Sequence, residues 1–260
     1  MNMKDKDFIK FLGTAGARFV MAKQLRSSAG VYLSIQGKSI ILDPGPGTLV
    51  RLAKSRPPID VAKLDAVILT HAHIDHSNDV NVIIDAMTSG GLKRRGMLFA
   101  PIQCLEGENA VVLPYLRGFV EDIGILEPHH TYRIDDLTFA TSSQHQHPVE
   151  TYGVMFQHHG RNISFMVDTK YSPGLVKDYE GSHILIMNVV LFKPHESGAV
   201  MHLSIDDVKE ILSQIRPETA ILTHFGMTML RAKPREVASR LSDELQLKVI
   251  AASDGMTVEL

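Results

Sequence analysis

Short apolar runs rich in β-branched residues alternate with turn formers along the first part of the chain, and with helix-length periodic segments along the second. Such runs, bounded by Gly, Pro, Asn, Asp or Ser, predict strands. Phe8 to Leu12 predicts a first strand that turns at Gly13-Thr14-Ala15-Gly16. Val31 to Ile35 and Ser39 to Leu42 predict a hairpin ending in the rigid turn Asp43-Pro44-Gly45-Pro46-Gly47. A short helix is predicted from Thr48 to Ser55, then a buried strand from Ala66 to Leu69, then a helix from Asn78 to Met87 closed by Ser89-Gly90-Gly91. Met97 to Ala100 reads as strand, Tyr115 to Ile123 as helix, and Tyr132 to Ser142 as strand with a turn at Asp135-Asp136. Thr151 to Gln157 and Ile163 to Asp168 predict a second hairpin.

After a short helix at Leu175 to Tyr179, His183 to Val190 reads as an apolar strand. Ser204, with Asp207 three residues on, caps a helix running to about Ile215. Ala220 to Leu222, a helix over Arg235 to Leu245 and a strand over Lys248 to Ala252 complete the pattern. It is β-rich first and βαβα later, and no linker or low-complexity segment divides it, so residues 1–260 are expected to form a single domain. Val67-Ile68-Leu69-Thr70-His71 is echoed by Ala220-Ile221-Leu222-Thr223-His224. Two buried strands each deliver a His from their ends, which suggests two related halves meeting at a central site.

The strongest chemical signal follows the first of these strands. Thr70-His71-Ala72-His73-Ile74-Asp75-His76 places three His and one Asp within six residues. In extended chain, residues two apart point the same way, so His71 and His73 can grip one ion. Asp75 and His76 are adjacent, and a turn there would swing them toward a second ion. Imidazole with carboxylate suits zinc, with manganese or iron as alternatives. Three further polar residues stand at predicted strand ends: His147, Asp168 and His224.

Bulk properties narrow the class. The 260 residues are 44% hydrophobic and 22% charged, ordinary for a globular protein with a large core. A net charge of −2 supplies no global basic field, so a nucleic-acid partner is left open but not favoured. The single cysteine, Cys104, forms no intrachain disulfide and reads as a small buried hydrophobe. The N-terminal stretch Met1 to Gly13 has no secretory h-region, and no apolar run approaches the ~20 residues that span a bilayer. A cytoplasmic location without membrane partners is expected, and a homodimer is the default oligomer.

In its ordered set, HxHxDH followed by a His, an Asp and a last His after a strand, the sequence resembles the metallo-β-lactamase superfamily. The resemblance implies an α/β fold, a four-layer αβ/βα sandwich of two mixed sheets flanked by helices, with two divalent metal ions between the sheets. Zinc is the first choice and manganese the second. Carried over by position, His71, His73 and His147 would hold one ion, Asp75, His76 and His224 the other, and Asp168 would bridge them. His145 competes with His147. The Thr151-Tyr152-Gly153 that follows at the family's usual distance favours His147 and leaves His145 in a supporting position. A bridging hydroxide would be the nucleophile.

Phe11-Leu12-Gly13-Thr14, Arg26-Ser27-Ser28, Asp43-Pro44-Gly45 and His202-Leu203-Ser204 are similar to the ribonuclease Z and cyclic-phosphodiesterase branch. This implies catalytic roles for Asp75, within the metal set, and for His202, which would stabilise the transition state or protonate the leaving oxygen. The expected substrate is a phosphodiester, with a thioester, lactone or amide as the alternative. The family's oxygen-reducing iron branch carries an acid where this chain has His73, which disfavours an oxidoreductase. Only twenty residues separate His147 from Asp168, too few for the tRNA-binding arm of ribonuclease Z enzymes. Lys93-Arg94-Arg95 could bind phosphates but reads first as a solvated face. His129-His130 and His158-His159 read as surface.

Overall fold

A computed structural model of the chain describes residues 7–196 and 199–260; the start of the N-terminal stretch discussed above, residues 1–6, lies outside them. The first sheet gathers β1 (Phe8–Phe11), β2 (Val31–Ile35), β3 (Lys38–Leu42), β4 (Ala66–Ile68), β5 (Met97–Ala100) and β6 (Asp122–Ile125). The second gathers β7 (Thr131–Ile134), β8 (Leu137–Gln144), β9 (Tyr152–His158), β10 (Arg161–Met166), β11 (Ile184–Asn188), β12 (Thr219–Thr223) and β13 (Lys248–Ala251). The last strand, β14 (Thr257–Glu259), returns to the first sheet and pairs antiparallel with β1. The strand orders are β14-β1-β2-β3-β4-β5-β6 and β13-β12-β11-β10-β9-β8-β7, each mixing parallel and antiparallel neighbours.

Alternation along the strands sorts side chains into three cores. Ile9, Phe11, Ile68, Phe139, Val154 and Ile221 belong to a cluster drawn from both sheets, which therefore face each other. Helices α1 (Ala17–Ala22), α2 (Thr48–Ala53), α3 (Ile74–Ser77), α4 (Val80–Met87) and α5 (Ile102–Leu105) belong to the first half of the chain. Of these, α2, α4 and α5 bury Leu52, Ile83, Ile84 and Leu105 with Val67 and Leu98 of the first sheet. Helices α6 (Pro173–Asp178), α7 (Ile205–Ile215), α8 (Met227–Arg231) and α9 (Pro234–Leu245) cover the second sheet, burying Val176, Leu212, Met229 and Leu241 with Leu185 and Leu222. The result is the expected four-layer αβ/βα sandwich. At α7 the predicted capping box is present: Ser204 Oγ accepts from the Asp207 amide, and the Asp207 carboxylate accepts from the Ser204 amide at 2.8 Å.

Two expectations are corrected. The helix predicted over Tyr115 to Ile123 is a 3₁₀ turn over Pro114–Phe119, and Asp122 onward is strand β6. Its apolar spacing is helix-like, but pairing of Met97 with Asp122 on the parallel edge of the sheet captures the segment. His158 is not a surface residue: it ends β9, is buried, and its Nε2 lies 2.7 Å from Asp7 Oδ2, a partner 151 residues away. The basic triplet is largely solvated as expected, with Lys93 and Arg94 exposed, and it also bonds to the backbone. Arg94 donates to the Val120 and Glu121 carbonyls and Arg95 to that of Leu64, which staples the chain around β5 and β6.

Among the described residues, no helix is long and apolar enough to cross a membrane.

Candidate metal centre

Both echoed strands end at one place. β4 runs out at Ile68, and its carbonyl accepts from the Asp43 amide at 2.8 Å, which holds the Asp43 turn against the strand end. The chain then passes Thr70 and His71 into α3, a single helical turn that starts at Ile74 and carries Asp75 and His76, the His76 ring lying 4.1 Å from that of His71. On the other sheet, β12 delivers His224, whose φ of 59° turns the chain sharply out of the strand. Gly45 must be glycine there: a Cβ would come within 2.9 Å of the Asp75 carbonyl carbon.

All seven residues expected to hold metal come together. His71, His73, His147 and Asp168 place one ligand atom each within 4.8 Å of one another, and so do Asp75, His76 and His224. Asp168, 2% exposed, faces both groups. Its Oδ2 lies 4.0 Å from His71 Nε2, 3.9 Å from His147 Nε2 and 3.5 Å from His76 Nε2, and its Oδ1 lies 3.4 Å from His224 Nε2. His202 joins them, with Nδ1 3.6 Å from Asp168 Oδ2 and its ring 5.2 Å from that of His147. His145 stands apart. Its Nε2 meets the Tyr179 hydroxyl at 2.8 Å and its Nδ1 the Asp168 carbonyl at 3.2 Å, so it supports the backbone of Asp168.

The outer nitrogens of these rings are already engaged. His76 Nδ1 is 2.9 Å from Asp43 Oδ2, His71 Nδ1 is 3.0 Å from Thr70 Oγ1, and His147 Nδ1 is 3.1 Å from the Met201 carbonyl. Thr70 in turn donates its amide and hydroxyl to the Asp43 carboxylate, both at 2.7 Å. Fixing Nδ1–H in this way turns Nε2 of each ring toward Asp168, that of His147 also lying 3.0 Å from His73 Nδ1. The Nε2 atoms of His71, His76 and His224 are buried with no hydrogen-bond partner. Orphaned buried nitrogens are costly unless something else satisfies them, and converging on a carboxylate they fit a divalent cation. From sequence Asp43 reads as a turn residue within a stretch similar to one branch of the family; that its acid orients His76 and Thr70 carries no spacing signal.

Charge in the metal-free site is uneven. Burial, reinforced by the neighbouring His76, holds the His71 pKa well below the imidazole range, and burial brings His147 down to about 4. His76 goes the other way. Burial opposes its charge, but the carboxylates of Asp75, Asp168 and Asp43 outweigh burial and hold it well above its ordinary value. Burial likewise disfavours the Asp168 anion, and the facing imidazoles of His224, His202 and His76 override it, keeping the carboxyl well below the usual range. Cys104 lies buried, its thiol pushed up by burial, as an inert core residue.

A cavity of about 260 Å³ opens on the cluster, with His73, Asp168 and His202 in its wall beside Arg18, Met21 and Ile74.

Residues 38–225 match the Beta-lactamase superfamily domain. The chain is 30% identical over 261 residues to the uncharacterized protein MJ1374 of Methanocaldococcus jannaschii, covering 97% of this chain and 94% of that protein. It is 25% identical over 232 residues to ribonuclease Z of Mycolicibacterium gilvum, covering 78% and 80% respectively. Among solved structures it is similar to the metallo-β-lactamase fold protein YhfI of Bacillus subtilis, with a TM-score of 0.77, 18% identity, and 98% of this chain and 100% of that one covered.

Proposed function

Because this chain belongs to the metallo-β-lactamase superfamily, whose members imply a metal-dependent hydrolase, we propose that it is a binuclear phosphodiesterase. The observation that carries this reading is Asp168, a buried carboxylate facing the Nε2 atoms of His71 and His147 on one side and of His76 and His224 on the other. Likeness to a protein named ribonuclease Z supports a phosphodiester as the bond cleaved. Residues 1–260 are taken as one such domain.

His71, His73 and His147 would hold one divalent cation, and Asp75, His76 and His224 a second, with Asp168 shared. Zinc is the favoured metal for this donor set, with manganese next. When bound, the pair supplies Lewis acidity and an acidified water at neutral pH. The protein's own residues do the rest. Asp43, Thr70 and the Met201 carbonyl lock three rings so that their Nε2 atoms need no reorganisation. His145 fixes the backbone of Asp168 from below. His202, in the cavity wall, supplies a hydrogen-bond donor to the departing oxygen.

The test pairs metal analysis with hydrolysis of bis(p-nitrophenyl) phosphate. Wild type is expected to carry about two zinc or manganese ions per chain and to release p-nitrophenol, and Asp168→Ala to lose both properties. Protein holding two ions that leaves the ester intact would remove the phosphodiester from the reading.

A further inference from the structure

The wall opposite the cluster residues in the 260 Å³ cavity comes from α1, a helix held rigidly against the site. The Gly16 amide donates to the Phe225 carbonyl at 3.0 Å, and the Phe225 amide donates to the Thr14 carbonyl at 2.8 Å. Gly16 packs so tightly on His224 that a Cβ would come within 2.7 Å of its Cδ2. So Arg18, two residues on, is tied to the same strand end that delivers His224.

Arg18 is exposed and makes no hydrogen bond or ion pair with any described residue. It is not spent on the acids of the site, since neither Asp75 nor Asp168 has it as a partner. Its neighbours are apolar where solvent-facing positions should be polar. Ile74, between His73 and Asp75 in the same cavity wall, is 62% exposed, and Met21 lines the wall beside it. An unpaired guanidinium beside exposed apolar side chains, in one cavity with a hydrolytic centre, is a recognition surface for an anion on an apolar or flat carrier.

We propose that Arg18, with Met21 and Ile74, forms a specificity subsite for a second anionic group, so that the substrate is a phosphodiester carrying a further phosphate on its non-scissile arm. This rests on the phosphodiesterase reading and adds the substrate class to it. The scissile phosphate sits at the cluster, the second anion at Arg18, and the moiety between them covers Ile74 and Met21.

The probes are thymidine 5′-(p-nitrophenyl phosphate) and the same compound carrying a 3′-phosphate, assayed on metal-loaded protein. Wild type is expected to prefer the 3′-phosphorylated probe through a lower KM. Arg18→Ala is expected to cut the ratio of the two kcat/KM values roughly tenfold, through KM, and Arg18→Lys to retain part of the preference. A wild-type enzyme without preference, or a ratio unaltered in Arg18→Ala, overturns the subsite. Should wild type cleave neither probe, the phosphodiesterase reading falls and calorimetry decides the subsite alone. Tighter binding of thymidine 3′,5′-bisphosphate than of thymidine 5′-phosphate, lost in Arg18→Ala, supports it. Equal binding overturns it.

Discussion

The support beneath Asp168 can be broken from a distance. Gly153 on β9 has no side chain because Tyr179 fills the space: a Cβ there would overlap the Tyr179 hydroxyl and lie 2.9 Å from its Cζ and 2.7 Å from the Phe165 carbonyl oxygen. The carbonyl cannot retreat, since Phe165 is paired with Val154 in the ladder. In Gly153→Ala the tyrosine must therefore move, and its hydroxyl leaves His145 Nε2. One proton arrangement satisfies both contacts of the neutral His145: Nδ1–H donates to the Asp168 carbonyl and the Tyr179 hydroxyl donates to Nε2. Burial lowers the His145 pKa to about 4, in keeping with that neutral form. Overpacking costs about 1–3 kcal/mol. Stripping a buried acceptor of its donor costs about 1–3 kcal/mol more. Gly153→Ala is thus expected to lose about 2–6 kcal/mol of stability. Tyr179→Phe incurs only the second cost, and it removes the atom with which the new methyl collides. The double variant should then be more stable than the two single losses predict when added, by about 1–3 kcal/mol for the donor loss counted twice and by up to about 1–3 kcal/mol more for the overpacking that the missing hydroxyl relieves. Urea unfolding of the metal-free protein measures all corners of this cycle. Losses that add within about 0.5 kcal/mol would refute the reasoning.

Three further outcomes follow from the site. In the metal-free protein His76 is held protonated near neutrality, so its proton must leave before Nε2 binds metal. Calorimetry in buffers of different ionisation enthalpy should find about one proton released per chain at pH 7, with metal affinity rising as pH rises, and no release would contradict this. Asp43→Asn keeps one acceptor for the Thr70 amide but turns an NH₂ toward the Thr70 hydroxyl and His76 Nδ1, both of which donate to Asp43 Oδ2. Metal affinity by competition with a chelator should weaken about 10–100-fold. His202→Ala should lower kcat toward bis(p-nitrophenyl) phosphate by about 10²-fold while metal content stays at the wild-type level, and loss of metal instead would make His202 a ligand.

What could be read from the sequence is what local spacing and strand ends encode. The run Ala66 to Leu69 and the HxHxDH that follows put four chemical groups at one strand terminus, and the repeat at Ala220 to His224 signalled the opposing sheet. Both are local patterns, and both are found in the three-dimensional cluster. The turn at Asp75-His76 was foreseen but not as α3, because four residues are too few to display helical periodicity. The errors share a different cause. Asp122–Ile125 became strand through a partner some twenty-five residues away, and Gly124 leaves room for the Phe99 ring, with Cε1 2.8 Å from where a Cβ would be. His158 is buried because Asp7 reaches it from the far end of the chain. Asp43 orients His76 across 33 residues, and Tyr179 reaches His145 across 34. In this chain the candidate ligands lie largely in one contiguous motif, whereas the residues that aim them are scattered among turns and helices with no spacing of their own. The same separation accounts for Arg18. A lone arginine in a six-residue helix carries no motif, and it acquires meaning only when β12 and the Thr14 turn bring α1 against the cavity that His73 and His202 share.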